Sequence, residues 1–390
     1  MVRFATSSDT LAETLRRKIM TIRLRLPLVK LIIALALPVF AQQTNTLPPT
    51  RLPSTALRFF GGVTDPGLWP GQYKFSWPDT LLLTLPINMV TCQDSTAEYQ
   101  CQTGANTFNG VTGLGLKPIG SMMLYCRAHK CQFLWYGGFG AIFSGSTGQY
   151  AWYANNAGSG ANIVRWFTNW VIAVSRAYPD IPYINYCNEP LHTSNTNPFP
   201  AAFGGAGRTG YDWIINIGKI FRTYFPHAHL GVNDFQCESV ANDLNTGDTM
   251  LPQFINMVNV LKKAGVIDWA GWEGYSLQST SSANFAAAIQ EMANTGVPLF
   301  LTEFSPEAYL TGVSQAAQLA DWQRLMGVAI NSGEVEAIIG PWTFRKSDKG
   351  VDGDSHWIID DSAEPSSNTG IDTLTSKWLR SYIPTIIPRT

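Results

Sequence analysis

The chain has 390 residues, of which 45% are hydrophobic and only 14% are charged. This composition excludes an intrinsically disordered protein, and the length allows one large domain or two ordinary ones. The formal net charge of −1 argues against nucleic acid or an anionic membrane surface as a partner.

The amino-terminal region contains the pattern of a secretory signal peptide at residues 20–41. Basic residues open this segment, and the apolar stretch Leu31–Phe40 follows them. The stretch is too short to span a bilayer, and small residues predict cleavage before Gln42. We therefore expect a secreted, extracellular protein that does not use a membrane as its partner.

The signal peptide divides the chain into further parts. Residues 1–19 become an upstream extension, and residues 42–57, rich in Thr, Pro, Gln and Asn, become a linker. Residues 58–390 are predicted to form the remaining domain. The six cysteines fit an oxidising extracellular compartment, and the sequence leaves their pairing open.

Short apolar runs alternate with amphipathic stretches of helical period along this domain. The strand-like runs are Leu57–Phe60, Ile119–Tyr125, Phe133–Trp135, Tyr183–Cys187, Leu230–Val232, Trp269–Trp272, Leu299–Leu301 and Ile338–Trp342. The helical stretches are Ala161–Ala177, Gly210–Tyr224, Leu251–Ala264, Ala283–Ala293 and Ser314–Asn331. Alternation of this kind predicts an α/β protein with a parallel sheet, and about eight units predict a single-domain (β/α)8 TIM barrel.

Two glutamates stand at the ends of apolar runs. Glu189 follows Ile184–Asn188, and Glu303 follows Pro298–Thr302. A carboxylate at the end of a buried strand is costly unless it reaches a polar site. The carboxyl ends of parallel barrel strands meet on one face, so these two side chains are expected to converge there. Paired carboxyl groups are what a glycosidase needs, one as acid/base and one as nucleophile.

From about residue 178 to 361 the chain resembles glycoside hydrolase family 10, the xylanase family. Five ordered segments carry the resemblance: Tyr178–His192, Gly204–Ile214, Phe225–Asp234, Gly265–Gly271 and Pro298–Glu303. Residues 58–150 match the family much less well. The resemblance implies a (β/α)8 barrel with retaining endo-1,4-β-xylanase activity on a polysaccharide, without a cofactor or metal. No signal for an oligomer is visible, so a monomer is expected.

The resemblance also implies roles for residues. Glu189 becomes the acid/base and Glu303 the nucleophile, with their carboxyl groups roughly 5 Å apart as retention requires. An ionised Glu303 would raise the pKa of Glu189 by like-charge repulsion. Asn188 would hydrogen-bond the sugar 2-hydroxyl, and Trp342 would form the floor of the sugar site. A core position is the alternative for Trp342.

Four further residues are candidates for contact with the substrate. His129 and Trp135 are the possible counterparts of a His and a Trp that the family carries near strand 3, although an exposed surface residue is the more common explanation for a His such as His129. His192 either contacts the edge of the site or caps its loop. Asn233 either lines the site or forms an Asx turn.

The chain departs from the family pattern at several positions. Residues 63–69 lack the Lys-Trp pair that binds sugar in the family. Glu273 and Tyr275 stand where the family has Gln-x-His, and Ser305 replaces a common Asp. The hydroxyl groups of Tyr275 and Ser305 are therefore expected to orient Glu303 in place of that His and Asp. Glu273 is expected either to perturb the pKa values of the catalytic pair or to contact a sugar hydroxyl.

These departures leave more than one function open. Hydrolysis of xylan is the first expectation, and the same chemistry on another β-linked glucan is the second. A catalytically impaired relative that only binds carbohydrate is the alternative from another class.

Overall fold

The computed structural model describes residues 57–63, 87–92, 101–109, 113, 115–137, 148–193, 197–244, 247–275, 277–307, 313–340, 359–360 and 371–387. The chain divides into two units, Met1–Thr50 and Arg51–Thr390, and every described residue belongs to the second. The signal peptide and most of the linker lie outside the described residues, so their assignment stays a prediction.

Eight parallel strands close into a barrel in the order of the sequence. They are β1 Phe59–Val63, β2 Met89–Cys92, β3 Gln132–Tyr136, β4 Tyr183–Asn188, β5 His229–Asp234, β6 Trp269–Trp272, β7 Leu299–Leu301 and β8 Val335–Ile339. Strand β1 pairs with both β2 and β8, which closes the sheet. The prediction of a (β/α)8 TIM barrel is confirmed.

Helices cover the outside of the barrel. They are α1 Lys117–His129, α2 Gly148–Asn156, α3 Gly160–Ala177, α4 Pro198–Ala202, α5 Asp212–Tyr224, α6 Leu251–Lys263, α7 Ser282–Ala293, α8 Gln315–Ser332 and α9 Leu374–Ile386. Two short 3-10 helices, Pro190–His192 and Leu277–Ser279, follow β4 and β6, and β9 Ile359–Asp360 pairs with β10 Ile371–Asp372. Within the described ranges, none of the helices has both the length and the apolar character that crossing a bilayer requires.

Helix starts follow from simple capping chemistry. Ser159, Ser281, Ser314 and Thr373 each precede a helix and accept a hydrogen bond from a backbone N–H three residues later. Such a cap satisfies one of the N–H groups that have no partner inside the helix, and its loss costs about 1 kcal/mol.

One predicted strand is wrong. The run Ile119–Tyr125 lies inside helix α1, because Ile119, Met122, Met123 and Cys126 are buried at helical spacing. Proline stands in the first turn of this helix, where its missing N–H costs nothing, and Lys130 ends it in the left-handed conformation. The second strand is instead β2, a stretch that the sequence pattern did not single out.

The interior of the barrel is a packed core rather than a channel. Alternate strand residues point inward and form one cluster: Phe59, Met89, Leu134, Tyr136, Tyr183, Trp269, Phe300, Ala337 and Ile339. Trp269 stacks on Phe300 with ring centroids 4.8 Å apart, and a Cβ at Gly231 would lie 2.2 Å from the Trp269 ring. Since the interior is filled, chemistry is confined to the end where the strands terminate.

Candidate active site

Glu189 follows directly after β4 in a strained backbone conformation. Its φ of 50° and ψ of 49° lie in the left-handed region, which is uncommon for a residue other than glycine. Strain of this kind costs about 1–3 kcal/mol and persists only where the surroundings fix it. Here the Glu189 N–H donates to the backbone oxygen of Asn233 at 2.8 Å, which ties the turn to β5.

Asp234 at the end of β5 holds the same turn. One of its carboxylate oxygens accepts from the Leu191 N–H at 2.7 Å, and the other lies 2.5 Å from Nδ1 of His192. Nε2 of His192 lies 2.8 Å from Oε1 of Gln236, and the imidazole stacks on Phe235. His192 therefore caps the loop behind Glu189, while its contact with a substrate stays a prediction.

The contact between His192 and Asp234 favours a charged imidazole. Burial lowers the pKa of His192, but hydrogen bonds to Asp234 and Gln236 outweigh it and raise the pKa above its usual value. Burial raises the pKa of Asp234, and the hydrogen bond from His192 partly offsets that rise.

Glu303 follows β7 and Thr302 and is only 3% exposed. Its Oε1 accepts from the Tyr136 hydroxyl at 3.1 Å and from Asn233 Nδ2 at 3.4 Å, and its Oε2 accepts from the Tyr275 hydroxyl at 2.5 Å. Three donors aimed at one buried carboxyl favour its ionised form.

The two tyrosines are neutral donors placed by different elements. Tyr136 ends β3 with its side chain inside the barrel, and burial raises its pKa well above the usual value, with the nearby carboxyl groups of Glu303 and Glu273 adding to that rise. Tyr275 comes from the loop after β6, where a bridge pairs it with Ser305. Ser305 is thus beside Tyr275, and Tyr275 supplies the hydrogen bond to Glu303.

The loop that carries Tyr275 is fixed by a buried carboxyl group. Gly274 has a φ of 71°, a conformation that favours glycine, and its N–H donates to Oε1 of Glu238 at 3.0 Å. Burial raises the pKa of Glu238 to about 7. Glu238 therefore orients the backbone between Glu273 and Tyr275.

A chain of amide groups joins the two sides of the site. Asn185 Nδ2 donates to Oδ1 of Asn188 at 3.2 Å and also to Oδ1 of Asn233, and Asn233 Nδ2 donates onward to the carboxyl groups of Glu273 and Glu303. These bonds fix the orientation of each amide. They leave Nδ2 of Asn188 buried and without a hydrogen-bond partner among the described residues.

Glu273 lies between the two predicted catalytic residues. It is 1% exposed, accepts from Asn233 Nδ2 at 3.1 Å, and lies within hydrogen-bonding reach of Glu189. Burial raises its pKa well above the usual value, and the neighbouring carboxyl groups of Glu189 and Glu303 raise it further. The structure thus brings Glu189, Glu273 and Glu303 together at the carboxyl-terminal face.

Two predicted contact residues are not part of this group. His129 is an exposed residue at the end of α1, before β3 begins, and its ring lies against Tyr125. Trp135 points outward from β3 into the helix layer, where it packs against Trp170 and Phe221. His129 thus lies at the opposite end of β3 as an exposed residue, the alternative that the sequence left open, and Trp135 is fully buried away from the three glutamates.

The remaining predicted residue, Trp342, lies outside the described residues.

Sequence reasoning missed Tyr136, Asn185 and Glu238. Tyr136 directly follows the strand-like run Phe133–Trp135, but the run does not show which of its neighbours faces the interior, and the other two carried no local signal. Within the described ranges, no three His, Cys, Asp or Glu side chains form a group suited to a metal ion.

A closed parallel barrel that gathers buried glutamates at its carboxyl-terminal face, with one of them held by three donors, defines the protein as a glycoside hydrolase. The sequence model of Glycosyl hydrolase family 10 matches residues 146–364, more than half of the chain. The chain belongs to this family, and the resemblance seen in the sequence is confirmed.

Solved structures share the fold at low sequence identity. Xylanase 10B from Thermotoga maritima is 12% identical with a TM-score of 0.65, over 87% of this chain and 98% of that one. An endo-beta-1,4-xylanase from Gloeophyllum trabeum is 13% identical with a TM-score of 0.61, over 85% of this chain and 99% of that one. Xylanase B from Clostridium stercorarium F9 is 14% identical with a TM-score of 0.59, over 84% and 99%. No curated protein sequence matches the chain.

Proposed function

We propose that this protein is a secreted retaining endo-β-1,4-glycosidase that hydrolyses xylan-type plant cell-wall polysaccharide by double displacement. The observation that carries the proposal is the convergence of Glu189 and Glu303 on Glu273 at the carboxyl-terminal face of the barrel. Family membership and the xylanase identity of the structural relatives support xylan as the substrate class.

The mechanism assigns one step to each glutamate. Glu303, held ionised by its three donors, attacks the anomeric carbon while Glu189 gives its proton to the leaving sugar oxygen. A glycosyl ester on Glu303 results. Water then attacks the same carbon, gives a proton to Glu189 and breaks the ester, which restores both carboxyl groups.

Asn188 is suited to assist these steps. Its amide oxygen already accepts from Asn185, so the buried Nδ2 is the group left to donate. A hydrogen bond from this nitrogen to a sugar 2-hydroxyl would strengthen in the transition state.

The test is hydrolysis by the purified protein of xylan, cellulose and mixed-linkage glucan, beside Glu303→Gln. Glu307→Gln is the matched control, because Glu307 is also a buried carboxyl but its charged neighbours are Asp321 and Arg324. Product from xylan that is lost in E303Q and kept in E307Q is the expected result. Early NMR spectra should show the β-anomer at the newly formed reducing end, because retention is expected.

Other results would change the assignment. Product from a glucan alone would keep the mechanism and overturn the substrate. Initial release of the α-anomer would overturn retention. No product from a protein that unfolds cooperatively would favour a relative that only binds carbohydrate.

Secretion has its own test. The basic start and the apolar stretch of residues 20–41 support export, with cleavage before Gln42. Intact mass of protein recovered from the culture medium should correspond to a chain that begins at Gln42. Retention of the full-length chain inside the cell would contradict secretion.

A further inference from the structure

Glu273 makes a contact with Glu189 that constrains where protons lie in the site. The two carboxyl groups lie within hydrogen-bonding reach of each other, and both are almost completely buried, at 1% and 9% exposure. A carboxylate can only accept a hydrogen bond, so a bond between two carboxyl groups needs a proton on one of them. A hydrogen bond between Glu189 and Glu273 therefore requires at least one of the pair to be neutral.

The surroundings of Glu273 disfavour a charge on it. Titratable groups face it from several elements: Tyr136 of β3, Glu189 after β4, Asp234 of β5, Cys237 in the following loop and Glu303 after β7. No cation forms an ion pair with Glu273 in the part of the chain that the structure describes. A buried carboxylate beside other carboxylates, without a cation, is costly.

We propose that Glu273 is a positioning residue that stays a neutral carboxylic acid throughout the reaction and donates its proton in a hydrogen bond to Glu189. The proposal rests on the proposed function, since it takes Glu189 as the acid/base. Oε1 of Glu273 already accepts from Asn233 Nδ2 at 3.1 Å. The protonated carboxyl thus uses one oxygen to accept and the other to donate, as a primary amide uses its oxygen and nitrogen.

This arrangement keeps one negative charge in the site at each stage. In the resting enzyme Glu303 carries it, while Glu189 and Glu273 are protonated. In the glycosyl-enzyme Glu303 is an ester, Glu189 has given its proton to the leaving group and carries the charge, and Glu273 still donates to it. Glu273 neither gains nor loses a proton, so it holds Glu189 in place as acid and as base.

The test compares Glu273→Gln with Glu273→Leu through the pH dependence of kcat/KM, with Glu307→Gln as control. Glutamine keeps both hydrogen bonds, whereas leucine removes both. We expect E273Q to remain active with the alkaline limb of its profile at the same or a higher pH. We expect E273L to lose roughly ten- to a hundredfold, because hydrogen bonds to charged groups are worth that much. E307Q should keep the alkaline limb of the wild type.

The direction of the shift decides between a neutral and a charged Glu273. If Glu273 were a carboxylate, E273Q would remove a negative charge beside Glu189, lower the pKa of that acid and move the alkaline limb to lower pH. That result would overturn the proposal. Equal activities for E273Q and E273L would also overturn it, because the hydrogen bonds would then not matter.

The protonation state of Glu273 can also be measured without turnover, so this test does not depend on the proposed function. The infrared difference spectrum of wild type minus E273Q at neutral pH should contain a protonated carboxyl C=O band. A carboxylate band in its place would overturn the proposal. Failure to hydrolyse any polysaccharide would refute the proposed function, while the spectrum would still decide the protonation of Glu273.

Discussion

The hydrogen bond from Tyr275 to Glu303 is the shortest of the three contacts that hold the proposed nucleophile, at 2.5 Å against 3.1 Å for Tyr136 and 3.4 Å for Asn233. Tyr275→Phe removes the hydroxyl and keeps the ring. A hydrogen bond to a charged group contributes about 1.5–3 kcal/mol, and one pH unit corresponds to about 1.4 kcal/mol. Ionising Glu303 should therefore become harder by about 1–2 pH units.

The assay is the pH dependence of kcat/KM on the substrate that the wild type hydrolyses. Only the ionised nucleophile attacks, so the acid limb of the Y275F profile should move to higher pH by that amount. Tyr136→Phe removes the longer bond and should cause a smaller move in the same direction. Tyr178→Phe is the control, because its hydroxyl donates to the Leu116 carbonyl away from the site.

An acid limb that stays in place in Y275F would refute the reasoning, provided that the variant unfolds with the wild-type midpoint. The hydroxyl would then not stabilise the charge on Glu303. A move of equal size in Y178F would refute it in another way, since the shift would then not depend on contact with the nucleophile.

Three further predictions concern residues around the site. Burial raises the pKa of Glu238 to about 7, so ionisation of this carboxyl group destabilises the native state. The destabilisation is absent below about pH 4.5 and complete above about pH 7. In chemical denaturation, Glu238→Gln should therefore stabilise the protein by about 3 kcal/mol at pH 8 and leave its stability unchanged at pH 4. Trp135→Ala should cost about 3–5 kcal/mol of unfolding free energy without raising KM, and a raised KM in folded protein would return Trp135 to the sugar site. The raised pKa of His192 means that its contact with Asp234 stabilises most below about pH 6.5 and less as pH rises; His192→Ala should therefore lose more stability at pH 5.5 than at pH 8.5, and a constant loss in thermal unfolding would contradict a charged imidazole.

The architecture was predictable because most of its strands are short, fully buried runs. β4 to β7 were found from such runs, since strands covered on both faces are continuously apolar. The same property made Ile119–Tyr125 ambiguous, because a buried helix also presents an apolar run. Pro118 in the first turn and burial at helical spacing distinguish it as a helix in the structure.

The sequence predicted the site residues that follow the end of a strand. It could not predict those whose role depends on which face of a strand points into the barrel. Glu189 and Glu303 stand out because a carboxyl group at the end of a buried strand is costly unless it reaches a polar site. Trp135 and Tyr136 are neighbours on β3, so one must face the helices and the other the barrel interior. The pattern does not say which, and the choice of Trp135 as the sugar contact therefore missed Tyr136, the residue that reaches Glu303.

The two residues after β6 that differ from the family pattern, Glu273 and Tyr275, act as one structural unit. Glu273 and Tyr275 flank Gly274, whose N–H is held by Glu238, so a single loop conformation delivers a group to Glu189 and a group to Glu303. A charged group at position 273 would oppose ionisation of the nucleophile, whereas a neutral acid would not. The hydroxyl at position 275 favours that ionisation. A carboxyl at 273 is therefore compatible with the proposed mechanism only while it keeps its proton, and its burial favours the protonated form.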